Sequence, residues 1–130
     1  AFLRQLTEMG EYDAIVADLS AALYPVNLAV LEESDQVALV FTGDAVGKRK
    51  LEKMQSDPFM KRISGQSSWS LVWNRCEQAP RCGGVAASFP YSRSVASGVD
   101  PVTVLSANPD FASGCESIVS ALSAAGGIRR

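Results

Sequence analysis

The fold is decided by residues 14–41, which read AIVADLSAALYPVNLAVLEESDQVALVF. Unbroken apolar runs at 14–17 and 37–41 are typical of strands that are buried on both faces, as in a parallel sheet. Pro25 suits the first turn of a helix, and the spacing of apolar residues predicts that helix over 25–33. The order strand, helix, strand predicts a parallel sheet.

The rest of the chain continues the alternation of helices and strands. We expect one α/β domain over residues 1–130, with a mostly parallel sheet flanked by helices. Apolar positions at helical or strand spacing predict the remaining elements, which are helices at 2–9, 48–55 and 110–124 and strands at 69–73 and 85–89.

Composition excludes several classes of function. The 130 residues carry a net charge of −2, are 47% hydrophobic and contain no histidine. Without histidine, Ser-His-Asp and Cys-His catalysis and the usual zinc-hydrolase ligand sets are excluded. The acidic balance and the lack of a basic stripe argue against a nucleic-acid partner.

The cysteines and the short apolar runs indicate the cellular compartment of the protein. No run approaches the ~20 apolar residues needed to span a bilayer, and no signal peptide is visible. Cys76, Cys82 and Cys115 form an odd set. We therefore expect a reduced, cytoplasmic setting, in preference to a disulfide between Cys76 and Cys82.

Polar residues follow each predicted strand and define a candidate site. In parallel α/β sheets, ligands bind beyond the carboxyl ends of the strands. We expect the site at those ends, which are Asp18, residues 42–44 (Thr-Gly-Asp), Asn74 with Arg75, and Pro90 with Tyr91.

Three segments resemble one known family of nucleotide switches. Residues 12–19 (YDAIVADL) with the helix and strand to Val40, the stretch 70–75 (SLVWNR), and the stretch 85–91 (VAASFPY) are similar to the second half of ParA/MinD-type deviant Walker ATPases. Residues 39–44 (LVFTGD) and the basic helix after them look most like the CpaE/TadZ pilus-assembly branch. The resemblance implies a partial domain of the P-loop NTPase (SIMIBI) type.

The resemblance also implies roles for residues at the strand ends. It implies that Asp18, the Walker B residue, is catalytic and a ligand of Mg²⁺. Asn74 and Arg75, with the proline loop at Pro90 and Tyr91, would contact the adenine nucleotide. ATP and Mg²⁺ are thus the cofactors expected for the full-length protein.

The half of the ATPase domain that grips phosphates is absent from these 130 residues. No Gly-rich loop with a Lys-Ser/Thr ending occurs, and residues 20–23 lack the glycine that the family usually has after the Walker B aspartate. We expect no catalysis and no tight nucleotide binding by this chain alone. The full-length protein would be a weak ATPase or a nucleotide-binding switch.

Partners and location follow from the resemblance in the same way. The family implies a spatial organiser that recruits pilus or secretion machinery, at the cell pole or the inner face of the membrane. A missing central strand would expose a sheet edge and favour a homodimer. Lys48, Arg49, Lys50 and Lys53 form a basic helical face that is either solvated or contacts an acidic partner or membrane lipid.

Two other functions remain open at this point. A receiver-like signalling module would use Asp18 as phosphoacceptor and Thr42 as switch residue, although no acidic pair and no Lys-Pro accompany them. A non-hydrolysing scaffold would form stable dimers that are indifferent to nucleotide.

Overall fold

The chain combines seven helices and three strands in the residues that the structure describes. The computed structural model describes residues 2–22, 24–76, 85–98 and 100–124. None of the helices in these ranges is long and apolar enough to cross a membrane. In chain order the elements are α1 (Phe2–Met9), α2 (Pro25–Glu32), β1 (Gln36–Thr42), α3 (Ala45–Ser56), α4 (Pro58–Ser64), β2 (Ser68–Asn74), β3 (Val85–Ser88), α5 (Arg93–Ala96), α6 (Pro101–Ala107) and α7 (Pro109–Ala124).

The three strands form one parallel sheet in the order β1-β2-β3. Val40 pairs with Val72, and Thr42 pairs with Asn74 at the carboxyl ends. Between β2 and β3 the register shifts by one residue next to Leu71, as in a β-bulge. The α/β class and the strands predicted at 37–41, 69–73 and 85–89 are therefore confirmed.

One face of the sheet packs against α3. Leu51 of α3 and Trp73 of β2 are buried together with Cys76, and Phe41 lies beside them. The Phe41 and Trp73 rings are tilted with centroids 6.1 Å apart, a favourable aromatic geometry. Trp73 is thus a core residue, as its place in the apolar strand predicts.

The opposite face packs against α7. Val72, Ala87 and Phe89 are buried there beneath Phe111, Cys115 and Ile118 of the helix. The rings of Phe89 and Phe111 lie 4.7 Å apart. Gly114 is buried against the ring of Phe89. Because glycine has no side chain, α7 approaches the sheet closely at this position.

Three short helices, α4, α5 and α6, were not predicted. Asp57 begins α4 by accepting hydrogen bonds from the N–H groups of Phe59 and Met60, at 2.9 and 3.2 Å. Asp100 begins α6 in the same way, through the N–H of Thr103. Each aspartate precedes a proline at the first helical position, an arrangement that pre-forms the first turn.

The strand predicted at residues 14–17 is absent, and that prediction is wrong for this structure. The segment has no regular secondary structure, and the side chains of Ile15 and Val16 are 40% and 93% exposed. Among the described residues, the Arg4–Glu33 ion pair joins α1 to the end of α2, and Ser20 accepts hydrogen bonds from the side chain of Asn27. An apolar run forms a buried strand only where neighbours cover it, and the described residues leave most of the surface of Val16 uncovered.

Candidate functional site

The carboxyl ends of β1 and β2 lie side by side at one edge of the sheet. Thr42 is in register with Asn74, and the N–H of Gly43 donates to the carbonyl of Asn74 at 3.1 Å. A Cβ on Gly43 would collide with Cys76, so the chain after β1 passes close to the chain after β2. This brings together two of the four predicted strand ends.

The end of β3 joins the same edge. The N–H of Phe89 donates to the carbonyl of Trp73 at 2.7 Å, and the N–H of Cys76 donates to the carbonyl of Phe89 at 3.0 Å. Phe89 is therefore bonded to both sides of the Asn74–Arg75 turn. Pro90, half-buried, and Tyr91, 61% exposed, follow directly. The structure brings a third predicted strand end to the site.

The turn after β2 is fixed by the side chain of Asn74. Its Oδ1 accepts a hydrogen bond from the backbone N–H of Arg75 at 2.9 Å. Arg75 has a φ of 56°, in the left-handed region that residues other than glycine rarely adopt. The side chain of Asn74 is thus held at the edge of the sheet, and the exposed Arg75 ends the strand.

The residues after β1 serve the start of α3. Oδ1 of Asp44 accepts from the N–H of Gly47 at 2.7 Å and from the hydroxyl of Thr42 at 3.1 Å. The bond from the Gly47 N–H, foremost, lowers the pKa of Asp44 below its usual value. A Cβ on Gly47 would overlap the carbonyl oxygen of Thr42, so glycine lets the helix begin against the strand.

Asp18 does not end a strand in this structure. It is exposed in the irregular segment before Ser20, and no hydrogen bond or ion pair of the described residues joins it to the three strand ends. Within the described ranges, no three cysteine or acidic side chains form a cluster that could hold a metal ion. The expected position of Asp18 at the end of a buried strand is wrong here, whereas its role as a Mg²⁺ ligand stays a prediction.

The predicted basic face of α3 is exposed, and α4 extends it. Lys48, Arg49, Lys50 and Lys53 are exposed, as are Lys61 and Arg62 of α4. Arg62 is engaged by Glu32 at 2.7 Å and lies over the Phe59 ring. Half of the chain's 12 basic residues thus lie on two consecutive helices.

A cavity between α3, α4 and the sheet was missed in the sequence. It measures about 340 Å³, and Trp69 at its wall donates its indole N–H to Ser67 at 2.7 Å. Its lining includes Met54 and Met60, flexible side chains of the kind that fill irregular gaps in a core. Its lining combines residues of β1, β2, α3 and α4, which are Leu39, Leu51, Met54, Gln55, Met60, Lys61, Ser64, Trp69 and Leu71.

Comparisons with known proteins add no family to this geometry. The sequence matches no protein-family model, and neither the curated proteins nor the solved structures contain a significant match. Of the predicted site, the structure brings Asn74 and Arg75 next to the loop of Pro90 and Tyr91. Cys82, the predicted neighbour of this loop, lies outside the described residues.

Proposed function

We propose that this chain is the base-binding part of a ParA/MinD-like ATPase domain, with its adenine site at the carboxyl edge of the sheet. The observation that carries the proposal is the junction of the Asn74–Arg75 turn with the Pro90 loop through Phe89. Open α/β sheets bind their ligands at this edge.

Asn74 has the chemistry that adenine requires. Its Oδ1 already accepts from Arg75, but a carbonyl oxygen has a second lone pair, and its Nδ2 supplies two N–H donors. Adenine presents an amino donor beside a ring-nitrogen acceptor, and this pair matches an asparagine amide. Guanine presents a carbonyl acceptor where adenine has the amino group, so the site would prefer adenine.

Pro90 and Tyr91 supply the apolar surface for the base. Pro90 is half-buried beside the turn, and the ring of Tyr91 is 61% exposed. Stacking on an aromatic ring typically contributes about 1–3 kcal/mol per base. The phosphates would extend away from this pair, toward a Gly-rich loop that these 130 residues lack.

Base binding would thus belong to this chain, and phosphate binding to the rest of the domain. The chain alone binds the base weakly and does not hydrolyse ATP. ATP and Mg²⁺ bind in the full-length protein, where Asp18 would be the carboxylate ligand and catalytic residue. The full-length protein is at most a weak ATPase.

By the same resemblance, we propose that the protein organises pilus or secretion machinery in space. Nucleotide binding would control a homodimer in the cytoplasm, recruited to the cell pole or the inner face of the membrane. The exposed basic surface of α3 is the part of the described chain that would contact acidic lipid or an acidic partner.

The test is an NMR titration of the 130-residue chain with ADP and, separately, GDP. We expect ADP to shift the amide signals of Asn74, Arg75 and Tyr91, and GDP to shift them less. Asn74→Asp keeps the acceptor for the Arg75 N–H and removes the Nδ2 donors, so it should abolish the ADP response.

The matched control is Gln66→Ala, an exposed turn residue before the amino end of β2. It should leave the ADP response unchanged. Equal responses to ADP in the wild type and in Asn74→Asp would contradict the proposal, as would shifts confined to residues of the α3–α4 cavity.

A further inference from the structure

The outer edge of β1 has no neighbouring strand among the described residues. The carbonyl of Asp35 accepts from Ser68, and the N–H of Gly43 donates to Asn74, so the odd-numbered residues of this stretch bond to β2. In a parallel ladder every second residue bonds to the same neighbour. The N–H and C=O groups of Ala38 and Val40 therefore point to the open edge, where they can pair with another strand.

The side chains on this edge are apolar and uncovered. Val40 lies in register with Val72, which α7 buries, yet Val40 is 60% exposed and Ala38 is exposed. Helix α7 contacts β1 at Gln36, whose Nε2 donates to the carbonyl of Leu122 in α7 at 2.7 Å. The edge thus combines unpaired backbone groups with an apolar strip.

The chain also contains a strand-forming segment without a sheet. Residues 13–18 (DAIVAD) have the composition of a buried strand but lie exposed in irregular structure. Val16 is among the most exposed large apolar side chains of the described residues, at 93%. The open edge has backbone groups without a partner strand, and the segment has the composition of a strand but no sheet to join.

Charge distinguishes the segment from the surface that follows β1. Residues 8–18 contain Glu8, Glu11, Asp13 and Asp18 and no basic residue. Residues 36–62, which comprise β1, α3 and α4, contain six basic and three acidic residues. An acidic strand added to the β1 edge would therefore lie close to a basic pair of helices.

We infer that two copies of this chain exchange residues 13–18, each segment adding a fourth strand to the β1 edge of the other copy. A second copy is the occupant because the chain's own residues 13–18 form no strand in the structure and leave Val16 93% exposed, although the β1 edge of the same chain is open. Reciprocal exchange uses the same two surfaces twice and closes a two-fold dimer. This dimer is separate from the nucleotide-controlled homodimer proposed above, because it forms without nucleotide and none of its residues contacts the base.

The first test compares three exposed valines by sedimentation equilibrium over a concentration series. The wild type should sediment at twice the 13.8 kDa chain mass. Val16→Lys and Val40→Lys should each raise the dissociation constant of the dimer about tenfold or more. By the two-fold symmetry, each substitution places a charge in both of the apolar strand contacts. The control Val102→Lys, at a 72% exposed position of α6, should remain dimeric.

A monomeric wild type would overturn the inference, and so would a dimer that survives both substitutions. Circular dichroism of each variant identifies loss of folding as a separate cause. Titration of monomeric Val16→Lys with ADP should match the wild type. Failure of the dimer is thus distinguishable from failure of the adenine site.

The second test identifies the partner strand by disulfide trapping. Mixing one chain carrying Val16→Cys with a chain carrying Val40→Cys should give a disulfide between these two positions, mapped by mass spectrometry. Mixing Val16→Cys with Val102→Cys should give none. A disulfide that forms within a single monomer carrying both Val16→Cys and Val40→Cys would show that the segment binds its own edge, and would overturn the exchange.

Discussion

The Oδ1 atom of Asn74 lies 2.9 Å from the backbone nitrogen of Arg75, which donates its N–H to it across the left-handed turn that ends β2. This bond fixes the amide of Asn74 at the carboxyl edge of the sheet, beside the Pro90 loop. The polar end of a buried strand thereby becomes a positioned hydrogen-bonding group.

The left-handed backbone of Arg75 leads to the first prediction. Glycine adopts a φ of 56° freely, whereas a β-branched residue does so at a cost of about 1–2 kcal/mol. Arg75→Gly should therefore unfold at nearly the wild-type urea midpoint, and Arg75→Val at a clearly lower one. If Arg75→Val were as stable as Arg75→Gly, the turn would not be left-handed in solution.

The second prediction concerns the contact of α7 with the sheet. A Cβ on Gly114 would lie 2.6 Å from Cε1 of the buried Phe89 ring. Overpacking of this kind costs about 1–3 kcal/mol, although alanine is otherwise the better helix former by about 1 kcal/mol. Gly114→Ala should thus lower the free energy of unfolding, while Ser113→Ala, on the exposed side, should leave it unchanged or raise it. A stabilised Gly114→Ala would contradict this packing.

The third prediction tests the helix that sequence patterns missed. Asp57 accepts two backbone hydrogen bonds at the start of α4, and loss of such a cap typically costs about 1 kcal/mol. Asp57→Ala should lower the chemical unfolding midpoint, and Asp57→Asn should retain most of the stability because asparagine caps equally well. Equal losses in the two variants would point to the charge of Asp57 instead of its cap.

The fourth prediction is a pH dependence at the ion pair that holds α1 to α2. The hydrogen bond from Arg4 is the main cause that lowers the pKa of Glu33 below its ordinary value of 4.5. A lowered folded pKa means that the pair stabilises the protein above about pH 4.5 and that this stabilisation is lost as the pH falls through the folded pKa.

Thermal unfolding at a series of pH values measures this effect. Glu33→Gln should unfold at a lower temperature than the wild type at neutral pH, and this difference should vanish in acid. Because the ion pair is exposed, added salt should also reduce the difference. Glu11→Gln, which alters a carboxylate outside the ion pairs of the described residues, should show no such pH-dependent difference. A difference that persists in acid would contradict the role of the Glu33 charge.

The strands that could be predicted are those that pair with another strand of the sheet in this structure. The run at 69–73 lies between β1 and β3, with α3 on one face and α7 on the other, so its apolar composition matches its burial. The run at 37–41 pairs with it and packs against α3 through Phe41, although Val40 on the other face is 60% exposed. The run at 14–17 has the same composition but no neighbouring strand in the described structure. Composition alone does not say whether a covering partner exists.

The helices that were missed carried a readable signal. Asp57-Pro58 and Asp100-Pro101 each combine a capping aspartate with a proline at the first helical position. Both helices have only seven residues, too few for apolar periodicity to emerge. The capping residues were the better guide.

The candidate site was predictable to the extent that it depends on strand ends. Parallel strands end at one edge, so Asn74 and Pro90 could be placed together from the sequence. The turn conformation of Arg75 and the capping role of Asp44 depend on backbone hydrogen bonds that composition does not encode. Asp18 does not end a strand, because residues 14–17 form none in this structure.

The measurement that tests the adenine site most directly is an NMR search for nuclear Overhauser effects between bound ADP and the protein. The account predicts contacts from the adenine protons to the side-chain amide of Asn74 and to the ring protons of Pro90 and Tyr91. Contacts to Trp69 and Met60 instead would place the ligand in the α3–α4 cavity and contradict the proposed site.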